Sequence, residues 1–299
     1  MLKNYFKKSM NVDINTAVDC IPCFVRQASE AVNFCISDEV KRADIMCDLL
    51  AELSKQDWLT SPAVVARNLH RHIRQKTGSP DPYHSLKRRM NAIAIEMLPE
   101  FRKDIRLEED PRTAITRLAL AGNLIDAGAK TGLAEMDIRS ALCRACREPV
   151  HGSAEDLFNE AEKAAKIFFL ADNSGEIVFD RALIEALPTS KITLGVRGSP
   201  VLNDATMEDA EMAGLSEIIP VISNGSDAPG TILNDCSPQF REVFEASDLI
   251  IAKGQGNYES LHAINKHIFF LLRVKCARVA TDIGAPIGEM VIHERNRRI

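Results

Sequence analysis

The chain has 299 residues, of which 45% are hydrophobic and 26% are charged, a composition typical of a water-soluble globular protein. Its formal net charge of −5 argues against a nucleic-acid partner, because such partners select strongly basic surfaces. No apolar run reaches the roughly 18 residues of a membrane span, and no apolar stretch follows the basic N-terminus, as in a secretory signal. We therefore expect a cytoplasmic protein that binds neither nucleic acid nor a membrane.

Four of the eight cysteines form two C-x-x-C pairs, Cys20 with Cys23 and Cys143 with Cys146. Two such pairs supply the ligand count of a structural zinc site, although ribbon-type sites have a much shorter segment between the pairs. A redox pair and buried helical thiols without a ligand are the alternatives. The spacing alone leaves these three interpretations open.

The first half of the chain is predicted to be almost entirely helical. Apolar residues recur there at intervals of three and four, the spacing that places them on one face of a helix. The predicted helices cover residues 18–34, 38–53, 61–76, 86–101, 110–123 and 136–146. We therefore expect residues 1–150 to form a helical domain.

The second half alternates short apolar runs with helical patterns. Strands are predicted over residues 167–170, 191–196, 218–222, 248–253 and 268–275, and helices over 154–165, 177–187 and 239–246. Strands that alternate with helices favour a parallel sheet with helices on both faces. Residues 151–299 are therefore expected to form an α/β domain.

A polar segment directly follows the apolar strand 167–170. Asp172 and Asn173 offer a carboxylate and an amide oxygen, which suit hard ions such as Mg²⁺ or Mn²⁺. Ser174 and Gly175 open the next helix, where free N–H groups can hold a phosphate. The alternative is an ordinary turn that caps the helix.

Other strand ends add cations and further carboxylates. Arg197 follows the second strand, with Asp204 and Asp209 shortly after it, and Lys253 and Gly254 follow the fourth. In a doubly wound sheet, these ends converge on one crevice. A metal site, cations and a glycine loop together suit phosphoryl chemistry, although each feature alone could be a plain turn. The sequence has no Walker loop, so we do not expect a P-loop NTPase.

Several motifs together resemble a known family. Those in the second half are Asp172-Asn173-Ser174-Gly175-Glu176 with Asp180, Asn203-Asp204-Ala205-Thr206 with Asp209, and Lys253-Gly254-Gln255-Gly256-Asn257-Tyr258-Glu259. They resemble the domain-of-unknown-function family 89, whose members are described as metal-dependent damage-control phosphatases. The motifs similar to its prokaryotic-type branch are Cys20-Ile21-Pro22-Cys23 with Gln27, Asp81-Pro82-Tyr83 with Lys87, and Ala121-Gly122-Asn123-Leu124-Ile125-Asp126.

The resemblance implies a helical bundle followed by a three-layer α/β/α domain with a mostly parallel sheet. It also implies a divalent ion (Mg, Mn, Co or Ni) held by Asp172, Asn173 and Asp209, with Asp204 as the second choice for the third position. By the same resemblance, Lys253 contacts the substrate phosphate. The remaining residues that the resemblance brings to the cleft are Asn123 and Asp126.

The resemblance implies a phosphatase that hydrolyses phosphate monoesters of small or damaged metabolites, such as sugar phosphates or phosphopantetheine-like compounds. Ser174, Gly254 and Arg197 are expected to help bind the phosphoryl group, with Asp204 or Asp126 as candidate bases. Attack by metal-bound water is favoured over a covalent intermediate on Asp172, because aspartyl-phosphate enzymes carry a second Asp two residues on.

Two other functions are kept open. One is an S-adenosylmethionine-dependent carboxyl methyltransferase, an activity proposed for another member of the resembled family. Gly175 is the only glycine in the turn after the first strand, which weakens this interpretation. The other is a non-catalytic metal or thiol protein built on the four paired cysteines.

Overall fold

The computed structural model describes residues 14–124 and 135–296. Twelve α-helices lie within these two ranges. In chain order they are α1 (Ile21–Cys35), α2 (Glu39–Leu53), α3 (Pro62–Thr77), α4 (His84–Ile105), α5 (Pro111–Ala121), α6 (Glu135–Ala145), α7 (Ala154–Lys163), α8 (Glu176–Ala186), α9 (Met207–Met212), α10 (Pro238–Ala246), α11 (Gly254–Leu261) and α12 (Ala277–Ile283). None of the helices in these ranges is both long and apolar enough to cross a bilayer.

The strands form one sheet of seven in the order β1-β7-β6-β5-β2-β3-β4. They are β1 (Val150–His151), β2 (Ile167–Leu170), β3 (Ile192–Val196), β4 (Val221–Ser223), β5 (Leu249–Lys253), β6 (Ile268–Arg273) and β7 (Met290–Arg295). All neighbours pair in parallel except β6 and β7, which pair antiparallel. The predicted fold class, a helical bundle with a mostly parallel α/β sheet, is confirmed.

Several helices begin where the sequence supplies a cap. The Asp38 carboxylate accepts the backbone N–H of Lys41 at the start of α2, and the Asp110 carboxylate accepts that of Thr113 at the start of α5. These bonds satisfy N–H groups that have no partner within the helix. The α3 helix ends at Gly78, whose φ of 72° is the left-handed conformation typical of a glycine at this position.

The hydrophobic core divides the chain differently from the predicted boundary at residue 150. Residues from α1 to Tyr83 share one core of their own. From Met90 onward, α4, α5 and α6 pack with α7, α8 and α9 against one face of the sheet. The opposite face is covered by α10, α11 and α12. Helices α4 to α6 therefore belong to a layer of the α/β unit. Their sequences have the same helical spacing of apolar residues as α1 to α3, so this spacing does not mark the boundary.

Partly exposed ion pairs tie the small bundle, α1 to Tyr83, to the sheet side. Asp227, in the loop after β4, accepts hydrogen bonds from Arg71 and Arg74 of α3, with Arg71 Nη2 2.6 Å from Asp227 Oδ1. Burial opposes the charge on this carboxylate, but the two guanidinium groups hold the pKa of Asp227 below its usual range. The contact fixes α3 beside the loops that follow β3 and β4.

Several elements differ from the sequence-based expectation. The β1 and β7 strands lie outside the predicted strands, and β7, which ends in charged residues, is a strand through its pairing with β1 and β6. The α9 helix lies in a stretch expected to be loop. The α11 helix begins with the sequence Gly-Gln-Gly, whose glycines have low helix propensity, and tertiary packing overrides that preference.

Candidate active site

The candidate site lies where the chain reverses direction across the sheet. From β2 the chain proceeds to β3 and β4 on one side, then returns to β5 on the other side of β2. Crevices at such switch points, beyond the carboxyl ends of the strands, are the usual ligand sites of open α/β sheets. Asp172 follows β2 and Gly254 follows β5, so both lie at this crevice.

Gly254 allows the two strand ends to approach each other. Its φ is +79°, and a Cβ atom built on it would lie 1.9 Å from Asp172 Oδ2. A side chain at position 254 would therefore collide with the Asp172 carboxylate and strain the backbone. The predicted proximity of Asp172 and Gly254 agrees with the geometry.

Asp172, Asn173 and Asp204 form the polar centre of the crevice. Asn173 and Asp204 pair in an isolated antiparallel bridge, and the Ala205 N–H donates to the Asp172 carbonyl at 2.8 Å. Arg197 joins the two carboxylates, with Nε 2.6 Å from Asp204 Oδ2 and Nη2 3.8 Å from Asp172 Oδ1. All four side chains are buried. The structure thus brings two carboxylates and one amide together.

The burial of these carboxylates opposes their negative charge. Burial, with the neighbouring carboxylates of Glu176 and Asp204, raises the pKa of Asp172 to about 8. Burial also raises the pKa of Asp204, although Arg197 opposes the shift. A cation between them would relieve this repulsion, and two carboxylate groups with an amide oxygen are donors that a hard divalent ion accepts. The residues therefore fit the ion that the resemblance implies.

Asp209 has other partners. Its Oδ2 accepts the backbone N–H and the hydroxyl of Thr206, each at 2.8 Å, in a capping box at the start of α9. The ammonium of Lys87 lies 2.8 Å from Oδ2, and the Asn91 side chain donates to Oδ1 at 2.8 Å. Both carboxylate oxygens are used within the protein, so the geometry favours Asp204 over Asp209 as the third ligand.

Lys253 turns away from the crevice and is fully buried. Its ammonium donates to the Ala119 carbonyl at 2.9 Å, to Glu176 Oε1 at 2.6 Å and to Asp180 Oδ1 at 2.5 Å. The Lys253 charge holds the pKa of Glu176 below its usual range against the effect of burial. All three N–H donors are therefore used inside the protein. This arrangement corrects the expectation that Lys253 contacts the substrate phosphate.

The N–H groups after β2 are also occupied. The Ser174 N–H and hydroxyl both donate to the Asn203 carbonyl, at 2.8 and 3.0 Å, and the Gly175 N–H donates to the Asn91 side chain at 2.6 Å. The predicted phosphate cradle at Ser174 is therefore corrected, because these donors hold the loops together. Asn123 reaches this region and donates to Glu176 at 3.1 Å, whereas Asp126 lies outside the described residues.

Lys275 is a cation that the sequence analysis missed. It is exposed, and within the described ranges its ammonium has no hydrogen bond or ion pair. Its charge lowers the pKa of both Asp172 and Asp204, against the larger effect of burial. The predicted strand 268–275 included this residue, but β6 ends at Arg273. Lys275 therefore follows the end of a strand. Polar residues at strand ends are the signal that predicted the other site residues, and the same signal could have identified Lys275.

The two cysteine pairs pack into different cores. Cys20 contacts the core of the small bundle, whereas Cys143 and Cys146 contact the core on one face of the sheet. Across residues 14–124 and 135–296, no three or more His, Cys, Asp or Glu side chains are grouped to hold a metal. A four-cysteine zinc site is thus absent from this part of the chain.

The chain is similar in sequence to several known proteins. An uncharacterized protein of Methanocaldococcus jannaschii is 37% identical over 293 residues, covering 93% of this chain and 94% of that protein. A damage-control phosphatase of Pyrococcus horikoshii is 30% identical over 281 residues, covering 91% of this chain and 96% of the relative. A damage-control phosphatase of Archaeoglobus fulgidus is 35% identical over 234 residues, covering 77% and 81%.

The fold is likewise similar to a solved structure. The crystal structure of a DUF89 family protein from Pyrococcus horikoshii superposes with a TM-score of 0.86 at 30% identity, covering 94% of this chain and 99% of that one. The model of the damage-control phosphatase ARMT1-like domain matches residues 16–291. The resemblance seen in the sequence motifs is confirmed, and the chain belongs to the damage-control phosphatase ARMT1-like family.

Proposed function

We propose that this protein is a metal-dependent phosphatase that hydrolyses phosphate monoesters of small metabolites. The observation that carries the proposal is the buried group of Asp172, Asn173 and Asp204 at the switch point of the sheet. Membership of a family whose relatives are named damage-control phosphatases supports the same chemistry. Sugar phosphates and phosphopantetheine-like compounds are the substrate classes that the motifs imply.

Asp172, Asn173 and Asp204 would hold a divalent ion such as Mg²⁺, Mn²⁺, Co²⁺ or Ni²⁺ through their side-chain oxygens. When bound, such an ion polarises the phosphoryl oxygen and acidifies the attacking water. Arg197 keeps the two carboxylates together, because its guanidinium lies against both. The residues are therefore arranged before a ligand arrives, which reduces the reorganisation that binding requires.

Two features of the same edge would bind the phosphate. Lys275 is an exposed cation whose charge favours the ionised form of Asp172, and it takes the role first expected of Lys253. The α11 helix starts at Gly254 beside Asp172, and no side chain among the described residues caps its N-terminus. Uncapped N–H groups at a helix start bind phosphate readily. A cation and a helix start together suit the charge of a phosphate monoester.

The test of the proposal is hydrolysis of a panel of phosphate esters by metal-stripped protein. We expect activity only after Mg²⁺, Mn²⁺, Co²⁺ or Ni²⁺ is added, and none from Asp172→Ala with any of the four. Activity in Asp172→Ala equal to that of the unmodified protein would place the site elsewhere. No hydrolysis with any ion, together with tight binding of S-adenosylmethionine that a chelator leaves unchanged, would favour the methyltransferase.

Lys275→Ala tests the phosphate contact separately. Loss of a charge-assisted hydrogen bond costs about 1.5–3 kcal/mol, so we expect kcat/KM for a phosphate ester to fall by about 10- to 100-fold. Ion affinity and thermal stability should stay close to those of the unmodified protein. Lys163→Ala, at an exposed lysine of α7, is the control and should leave the kinetics unchanged. Unchanged kinetics in Lys275→Ala would contradict the assignment.

A further inference from the structure

The hydrogen bonds around Asn173 fix which end of its amide faces which neighbour. Asn173 Nδ2 donates to Asp172 Oδ2 at 2.7 Å and to Glu176 Oε2 at 3.1 Å. On the other side, Asn173 Oδ1 accepts the side-chain N–H of Asn203 at 3.1 Å. Glu176 is paired with the buried Lys253 and only accepts hydrogen bonds, so it requires the NH₂ end of the amide. Reversing the amide would set its oxygen against the Glu176 carboxylate.

Glu176 is itself held firmly. Lys253 Nζ lies 2.6 Å from its Oε1, and Asn123 donates to its Oε2 at 3.1 Å. The Glu176 side chain is 3% exposed and that of Lys253 is 0% exposed. A carboxylate fixed by a buried cation has a defined position from which it can orient a neighbouring amide.

We propose that Glu176, anchored by Lys253, is a positioning residue that fixes the orientation of the Asn173 amide beside Asp172 at the ion site. The proposal rests on the ion site assigned under the proposed function. In this arrangement the buried Lys253 acts on the ion site through Glu176 and makes no contact with the substrate. This arrangement also explains why an acidic residue lies so close to two carboxylates that would otherwise repel it: the residue accepts the Asn173 N–H, and the lysine balances its charge.

Asp180 provides a matched control within the same cluster. Like Glu176, it is fully buried and bonded to Lys253 Nζ. Its other oxygen, Oδ2, has no hydrogen-bond partner in the described part of the chain, so it does not orient Asn173. If the cluster only stabilised the fold, replacing either acid by its amide would have the same kind of effect.

The experiment measures Mn²⁺ affinity of metal-stripped protein by electron paramagnetic resonance, without any substrate. Mutation of groups that orient metal ligands typically costs 10- to 100-fold in affinity, and we expect a loss of about that size in Glu176→Gln. A glutamine side chain can donate to the Asn173 oxygen and so permits the reversed amide. Asp180→Asn should keep the affinity of the unmodified protein. Circular dichroism establishes that each variant is folded.

A second substitution separates positioning from a general structural effect. Asn173→Asp offers oxygen at both ends, so orientation no longer matters at this position. We therefore expect Glu176→Gln to lose its penalty in the Asn173→Asp background, which a double-mutant cycle would detect. If Glu176→Gln does not fold, Glu176→Gln/Asp180→Asn/Lys253→Met removes all three charges of the cluster together and should show the same loss of affinity.

Three results would overturn the proposal. These are equal losses in Glu176→Gln and Asp180→Asn, an unchanged affinity in Glu176→Gln, and a penalty that persists in the Asn173→Asp background. Each of them leaves the proposed phosphatase intact, because the unmodified protein still binds Mn²⁺. Failure of the unmodified protein to bind any divalent ion would overturn the proposed function itself, and the two failures are therefore distinguishable.

Discussion

Asp204→Asn is expected to lower divalent-ion affinity and phosphatase activity by more than about 100-fold, because loss of a ligand should exceed the cost of losing a group that merely orients one. Asp204 pairs with Asn173 and shares Arg197 with Asp172, so its carboxylate belongs to the same buried group. The measurements are ion affinity by calorimetry and hydrolysis of a phosphate ester with saturating ion. Asp204→Asn keeps the shape of the side chain but breaks its buried pair with Arg197, so circular dichroism establishes that the variant is folded before ion affinity is compared.

Asp209→Asn is the paired control for this prediction. Its carboxylate holds the capping box of α9 and the buried ammonium of Lys87. Removing one partner of a buried ion pair costs about 3–5 kcal/mol, so we expect a lower free energy of unfolding with ion affinity retained. The opposite outcome, ion binding lost in Asp209→Asn and kept in Asp204→Asn, would restore Asp209 as the third ligand.

Lys253→Met is expected to destabilise the protein by about 3–5 kcal/mol, because it leaves Glu176 and Asp180 buried without their cation. Methionine fills a similar volume, so the loss comes from charge and hydrogen bonding and little of it from a cavity. Burial and the Glu176 charge already raise the pKa of Asp180 to about 7. Urea unfolding at neutral pH measures the change in the free energy of unfolding.

The same substitution distinguishes a buried anchor from a substrate contact. A lysine that bound phosphate would change KM and leave the free energy of unfolding unaltered. Lys275→Met, at an exposed lysine, should show that profile, with a stability change within about 0.5 kcal/mol. If Lys253→Met unfolds at the same urea concentration as the unmodified protein and only its KM rises, the result would contradict a structural role for Lys253. It would indicate that Lys253 contacts the substrate.

Local pattern alone predicted the elements that carry the site. The run Ile167 to Leu170 is apolar at every position, and β2 is indeed buried on both faces. The polar residues after it stop the strand, and the alternation of strands and helices implies parallel pairing. Asp172 and Asn173 therefore lie at the carboxyl edge of the sheet, as predicted. These features follow from periodicity, which is a property of neighbouring residues.

The direction of a side chain at a strand end depended on the tertiary structure. In β5, Ile251 contacts the core on the α8 side, whereas Ile250 and Ala252 contact the opposite core. Lys253 has the same parity as Ile251, so it points toward α8 and meets Glu176 and Asp180 there. The sequence shows that side chains along β5 alternate between the two faces of the sheet. Only the packing of the helices shows on which face the acidic side chains lie.

The sequence by itself determined the fold class, the family motifs and the edge of the sheet where the chemistry lies. The family resemblance ranked Asp209 before Asp204 as the third ligand, although both follow β3 closely and both suit an ion. The tertiary structure favours Asp204, because Thr206, Asn91 and Lys87 occupy the Asp209 oxygens. Which oxygen atoms can bind the ion depends on which of them long-range folding leaves without a partner. The local order of residues does not show this.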